Sequence, residues 1–529
     1  MPSATPMYAL QTNGSDQAYT QLTLGQYRKI QGHVHLPSLY LRQSKRLSSQ
    51  SMRRISHTSI NMLIYTLSVY ECYVALSKEQ AKKKWNEVAG NPTFVPRVLD
   101  VLKGQLCFVI GTVYMDMPLK PNVLDDIARD HSIPAPPPPK KYNSPDDTIT
   151  LEDESGRICL VGDRIQRAGL VTGVIVGALG LETNNGDFEV VDYVFAGLAP
   201  QLASSWEDSK SEADMDVDES IGAASSDQWI ALVSGLEVGA PSPTDCELEL
   251  LSEFLTSELG GPSEQASASQ ISRLIIAGNS LATAVGNTNG INEEVDKKAR
   301  RYGQESAAFS PHPTINLGHH LLDIARSMPI HLLPGDLDPS GTILPQQALP
   351  RAMFGGASSY SSFKTETNPT YIHIASEPVT STSVESKNGA SSSKAEVPER
   401  RRTLLVNSGQ PLNDMFKYLD TPPHSRLSMA ASTLHWRHMA PTAPDTLWCH
   451  PYFTADPFIL TETPDLYIIG NQPAFGTQLV TDAQTKCRVI LVPVFRKTGT
   501  VVLVNLRTLD VKTVSFATEN MGAALNDDL

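Results

Sequence analysis

Ile230–Gly239 (IALVSGLEVG), Leu274–Ser280 (LIIAGNS) and Ile330–Asp338 (IHLLPGDLD) are apolar runs that each end in a glycine-bearing turn. Leu466–Gln472 (LYIIGNQ) repeats the pattern near the end of the chain. Short continuous apolar runs closed by glycine predict strands buried on both faces. The text between them is helical in character. Cys246–Leu259 (CELELLSEFLTSEL) stops at Gly260–Gly261, and Leu317–Met328 (LGHHLLDIARSM) leads into the third run. Further on, Thr403–Val406 predicts a strand and Asn413–Leu419 a helix. Arg488–Phe495 and Thr500–Asn505 predict a strand pair around the turn Lys497–Gly499. Strand–helix alternation of this kind builds a mostly parallel sheet covered by helices, so the fold class of this half is α/β.

Residues 99–200 are written differently. Gln105–Tyr114, two runs in Thr148–Val161 around Asp153–Gly156, Leu170–Leu181, and Phe188–Phe195 after Asn184–Asn185–Gly186 are short β-runs with turn chemistry between them. About five short strands with interior glycines predict a small all-β barrel of the OB type. Such barrels often bind single strands through aromatics and a basic groove. This one is rich in acids instead, among them Glu152, Asp153, Glu154, Asp187 and Glu189, which favours a packing module. The proline run Ala135–Lys140 is expected to be a stiff surface loop or a spacer between strands. Residues 1–40 are expected to be flexible. Residues 41–98 are expected to be helical, with Trp85 anchoring a solvated helix at Lys78–Val88. Residues 201–227 form an acidic linker, and 378–402 a low-complexity insert expected to be disordered.

With 529 residues, more than one core is expected. The net charge of −14 argues against a protein that lives by coating phosphate backbones. Six scattered cysteines, without a CxxC, predict neither a metal cluster nor a disulfide framework. The start has no signal-peptide pattern, and Ile60–Leu76 is too interrupted, by Asn61 and Glu71, for a membrane span. His319–His320 face different directions on a helix, and His435, His438 and His450 lack partners at ligand spacing.

The strand–loop frame of residues 228–529 resembles that of calcineurin-like metallophosphoesterases, in which loops after successive strands hold two cations. Two dications about 4 Å apart repel by roughly 16 kcal/mol at an effective dielectric near 20, so charged ligands must offset them. The family pattern supplies Asp-x-His, Gly-Asp, Gly-Asn-His-Asp/Glu and Gly-His-x-His. This chain has Gly235 and Glu237 at the first position and Asn279 at the second. Asp336, Leu337 and Asp338 stand at the third, and Asn471 in the last. These are former ligand positions in a degenerate frame, which implies no catalytic residue, no metal and no cofactor. Glu237, Asp336 and Asp338 could still gather a lone hard cation, but Asp336 and Asp338 more readily make the Gly-Asp turn and cap the chain beyond it.

His435–Tyr452 (HWRHMAPTAPDTLWCHPY), Asp456–Ile459 (DPFI) and Gly470–Gly476 (GNQPAFG) are the most specific text in the chain. Supporting it are Leu332–Pro339, Leu344–Gln347, Ser408–Pro411 with Asp414, Val504–Leu509 and Asp192–Pro200. Over about residues 78–529 the chain resembles the small (second, or B) subunit family of DNA polymerase delta. The resemblance implies an OB barrel on an inactivated phosphoesterase-like β-sandwich flanked by helices, with no enzyme activity of its own. It also implies an accessory scaffold in the nucleus. Its partners would be the cysteine-rich C-terminal region of the catalytic subunit and a third subunit, with the sliding clamp and DNA reached mainly indirectly and no membrane contact. Alternatives are a residual metal-dependent phosphoesterase or exonuclease, and a single-stranded DNA-binding barrel.

Overall fold

The structure, a computed structural model, describes residues 73–88, 92–121, 139–201, 228–240, 245–283, 311–375, 401–451, 456–482 and 485–516. The expected flexible start, residues 41–72, most of the proline run and of the linker, and residues 378–400 of the insert lie outside the described residues.

Six strands form the N-terminal barrel: β1 (Thr93–Phe94), β2 (Cys107–Asp116), β3 (Thr148–Glu152), β4 (Arg157–Val161), β5 (Ile175–Glu182) and β6 (Phe188–Val194). The sheet runs β1-β2-β3-β4-β6-β5 and closes on itself through β2–β5. The barrel begins before residue 99, because Thr93–Phe94 pairs parallel with Cys107–Phe108. The run from Leu170 enters β5 only at Ile175, because Thr172 Oγ1 accepts the Met115 amide and Gly173 (φ +92°) turns the chain. The helix at residues 73–85 lies on this barrel. Trp85 is buried against Phe108 and donates its indole N–H to Asp192 at 2.8 Å, while Lys84 pairs with the same carboxylate at 2.7 Å. Both contacts hold the Asp192 carboxyl below its ordinary range despite its burial. Trp85 is thus the anchor that its place in the sequence predicted.

Two further sheets pack face to face. The first is ordered β10-β9-β8-β7-β16-β17, from Phe363–Thr365, Ile330–Leu333, Ile271–Ala277, Trp229–Val233, Thr500–Asn505 and Val511–Ser515. The second is ordered β11-β12-β13-β15-β14, from Thr370–Ala375, Arg401–Asn407, Leu466–Gln472, Lys486–Pro493 and Gly476–Thr481. Alternate residues of β7, β8 and β9 explain their unbroken apolar text. Ile230, Ile275 and Leu333 face the second sheet, whereas Ala231, Leu274, Ile276 and Leu332 face helices Asp245–Leu255 and His312–Ser327.

Two local expectations change. The helix after β12 is Gln410–Met415 and not Asn413–Leu419, because left-handed Gly409 and Pro411 in the first turn start it early. Strands β15 and β16 are not a hairpin. A helical turn, Phe495–Thr498, ends at left-handed Gly499 and carries the chain from the second sheet to the first.

The barrel and the second sheet share one apolar core. It runs from Val109, Leu151 and Val176 through Trp436, Met439 and Met429 to Leu405, Tyr467 and Val489. Polar contacts fix the junction. Arg437, in a left-handed conformation (φ +56°), donates from Nε to Gly197 O at 2.8 Å and from Nη2 to Leu198 O at 2.6 Å. Lys141 donates to Phe416 O and Leu419 O, and Lys120 meets Asp445 at 2.6 Å. The tightest approach is at Gly173, where an added Cβ would lie 1.9 Å from Pro441 O. Backbone on backbone cannot yield by a rotamer change. Gly173→Ala should therefore cost about 3 kcal/mol or more, read as a lowered thermal unfolding midpoint, and a wild-type midpoint would contradict this packing.

Candidate functional site

Parallel strands deliver their following loops to one edge, and the crevice beyond that edge is where such sheets place ligands. Here the edge collects Gly235 and Glu237 after β7, Asn279 after β8, Asp336–Asp338 after β9, Ser408 after β12 and Asn471 at the end of β13. Glu237 (φ +47°), Asn279 (φ +54°) and Asn471 (φ +54°) are left-handed, the first two in loops and the third at the end of β13. Asparagine tolerates that region, whereas for glutamate it is strained. The surroundings hold Glu237 in place: its amide donates to Asn279 O at 3.0 Å, and its carboxylate meets Arg496 at 2.8 Å.

The polar side chains of this edge point at neighbouring loops. Asn279 Oδ1 accepts the Leu337 amide at 3.1 Å. Asn471 Nδ2 donates to Ser408 O at 2.9 Å, and its backbone amide donates to Ser234 Oγ at 2.8 Å. Asp338 is buried and accepts from the Leu281 and Gly335 amides, both at 2.8 Å. Gly335 is required here, since a Cβ would lie 2.0 Å from Asn279 Oδ1. Glu237, Asp336 and Asp338 are consequently not gathered: the first pairs with arginine, the second is exposed, and the third faces backbone. Among the described residues no three His, Cys, Asp or Glu side chains come together in a way that could hold a metal ion.

A second layer of amides was not singled out as a site by the sequence. Asn368 Nδ2 lies 2.6 Å from both Gln346 Oε1 and Ser408 Oγ, and 2.8 Å from Gln410 Oε1. Gln346 Nε2 donates to Gly335 O and Gly341 O, and Ser408 Oγ donates to Gln410 Oε1. Nothing local in the sequence signals that these residues meet. Of the histidines noted in the sequence, His438 pairs with Asp456 at 3.1 Å, and burial pushes the His320 and His435 imidazoles toward the neutral form.

Asp338 is the one buried carboxyl of the edge loops. Burial pushes its pKa up from 3.8 to about 6, against the opposing pull of backbone donors. A carboxyl whose folded pKa is raised binds its proton more tightly when folded, so its stabilising contribution falls as pH rises from about 4 to about 6. Asp338→Ala should leave two buried N–H groups unpaired and cost about 3 kcal/mol. The stability gap between the wild type and this variant should narrow across the same pH interval in denaturant titrations. A gap that stayed constant, or widened, would contradict the assignment.

Comparison with known proteins agrees with this architecture. Residues 69–193 match the family model for the DNA polymerase delta subunit OB-fold domain, and residues 230–477 match that for the B subunit of DNA polymerases alpha and epsilon. The DNA polymerase delta small subunit of Arabidopsis thaliana is 35% identical over 426 residues, covering 80% of this chain and 85% of that protein. The small subunit of Oryza sativa subsp. japonica is 33% identical over 80% of this chain and 86% of its own length. That of Saccharomyces cerevisiae is 33% identical over 79% and 80%. With the closed barrel, the paired sheets and the junction motif at residues 435–447, these matches establish that the chain belongs to the DNA polymerase delta small subunit family.

Proposed function

We propose that this protein is a non-catalytic accessory subunit of the replicative DNA polymerase delta, acting in the nucleus. It would join the cysteine-rich C-terminal region of the catalytic subunit to a third subunit, and contact the sliding clamp and DNA mainly through them. On this view residues 99–200, with the preceding strand and helix, are the OB-fold domain, and residues 228–529 are a phosphoesterase-like sandwich that no longer hydrolyses phosphate. The supporting observation is the edge at the strand ends. Its loops are bound to one another by neutral amides and by backbone donors on Asp338.

A two-cation phosphoesterase site needs several carboxylate and imidazole donors aimed at one point. Asn279, Leu337 and Asn471 stand where such donors would be, and Asp338 is turned into the protein. The donor set therefore does not fit a metal pair. What remains is a rigid frame carrying a barrel firmly docked on its second sheet, which suits a part that holds other polypeptides in fixed relation.

Co-expression with the polymerase catalytic subunit should yield a stoichiometric complex on size-exclusion chromatography. The purified chain should show no manganese-stimulated phosphodiester hydrolysis that disappears in Asp338→Ala. Failure to co-elute, or hydrolysis abolished by that substitution in a folded variant, would overturn the proposal.

A further inference from the structure

Beside the strand-end loops a cleft of about 380 Å³ opens, bordered by Asp336, Gln410, Asp414, Lys417 and Trp448. Its polar groups are not equivalent. Gln410 is bonded inward to Asn368, Ser408 and Gln346. Asp414 Oδ2 accepts from the hydroxyls of Thr442 and Thr446, both at 2.6 Å. Lys417 is turned to Asp414 and to the Tyr142 hydroxyl, each at 3.5 Å. Asp336 is different: it is exposed at the tip of the loop after β9 and pairs with no cation among the described residues.

Trp448 is different as well. The residue is 73% exposed, the most of any large apolar residue among the described residues. Yet its backbone is fixed: Leu344 N donates to Trp448 O at 3.0 Å, and His450 N donates to Leu344 O at 2.7 Å. An indole carried on fixed backbone and exposed at the rim of a cleft, with a carboxylate on the same lining that pairs with no cation among the described residues, suits cation recognition. The ring face attracts a guanidinium or ammonium, and the carboxylate can pair with it. A planar guanidinium suits both partners better than a compact ammonium.

We infer that this cleft is a docking site for an arginine side chain presented by a partner polypeptide, stacked on Trp448 and paired with Asp336. The inference rests on the scaffold reading above and specifies one of its surfaces. It is tested on the full chain by isothermal titration with a blocked Gly-Arg-Gly peptide and its citrulline counterpart, which is isosteric but neutral. The arginine peptide should bind about tenfold more tightly, and Trp448→Ala and Asp336→Asn should each remove most of that preference. Equal binding of the two peptides, an unchanged preference in both variants, or preferential binding of inorganic phosphate at Lys417 would overturn it. Co-elution with the catalytic subunit is measured separately. A chain that forms the complex but shows no arginine preference refutes this inference alone.

Discussion

The barrel and the second sheet are built around one apolar core, and most of the structure depends on that junction. Trp436, Met439 and Ala440 enter it from one segment, Val171 and Val174 from the barrel, and Leu405 and Tyr467 from the sheet. Arg437 and Lys141 then occupy backbone carbonyls across the seam. Carbonyls buried at a domain boundary must be paired, and charged donors pair them strongly. Within the most family-specific text, His435–Tyr452, the part around Trp436, Met439 and Ala440 is therefore internal mortar. Its pattern is constrained because both bodies are shaped against it.

The two ends of the sandwich are finished differently. At the strand C-termini, loops are joined by neutral amides and by backbone donors on Asp338, with the Glu237–Arg496 pair beside them. Elsewhere on the second sheet, at the start of β12, Arg402 is buried and meets Asp465 at 2.8 Å, and it donates to Leu506 O and Arg507 O. Asp465 also accepts the Thr403 amide. A buried ion pair is tolerable only when its remaining donors and acceptors are filled, and here they are filled by turns from both sheets. That pair fixes the relation of the sheets. The amide edge fixes the relation of the loops.

Much of this was legible because it is local. The runs at Ile230, Leu274, Ile330 and Leu466 read as buried strands since both faces are covered, and they are strands. Trp85 was legible as an anchor because it is the large apolar residue in a basic helix. What escaped was non-local. Lys497–Gly499 looks like a hairpin turn, and no nearby residue tells that the next strand joins the other sheet. Gln346, Asn368 and Gln410 lie tens of residues apart and meet only because three loops share an edge. The text Gly335–Asp338 can serve a ligand or a turn, and the turn is its readier local reading; Asp338 does bond the Gly335 and Leu281 amides.

The return of β16 to the first sheet bears on how the chain can fold as it is made. Leu232 of β7 pairs with Val502 of β16, about 270 residues later. Until that strand leaves the ribosome, one side of β7 is an open sheet edge next to a fully apolar surface. At ordinary translation rates this lasts on the order of half a minute. The barrel can assemble early, but the first sheet is sealed only once β16 has been made. For that interval the exposed edge and apolar face of β7 are open to mispairing with other chains.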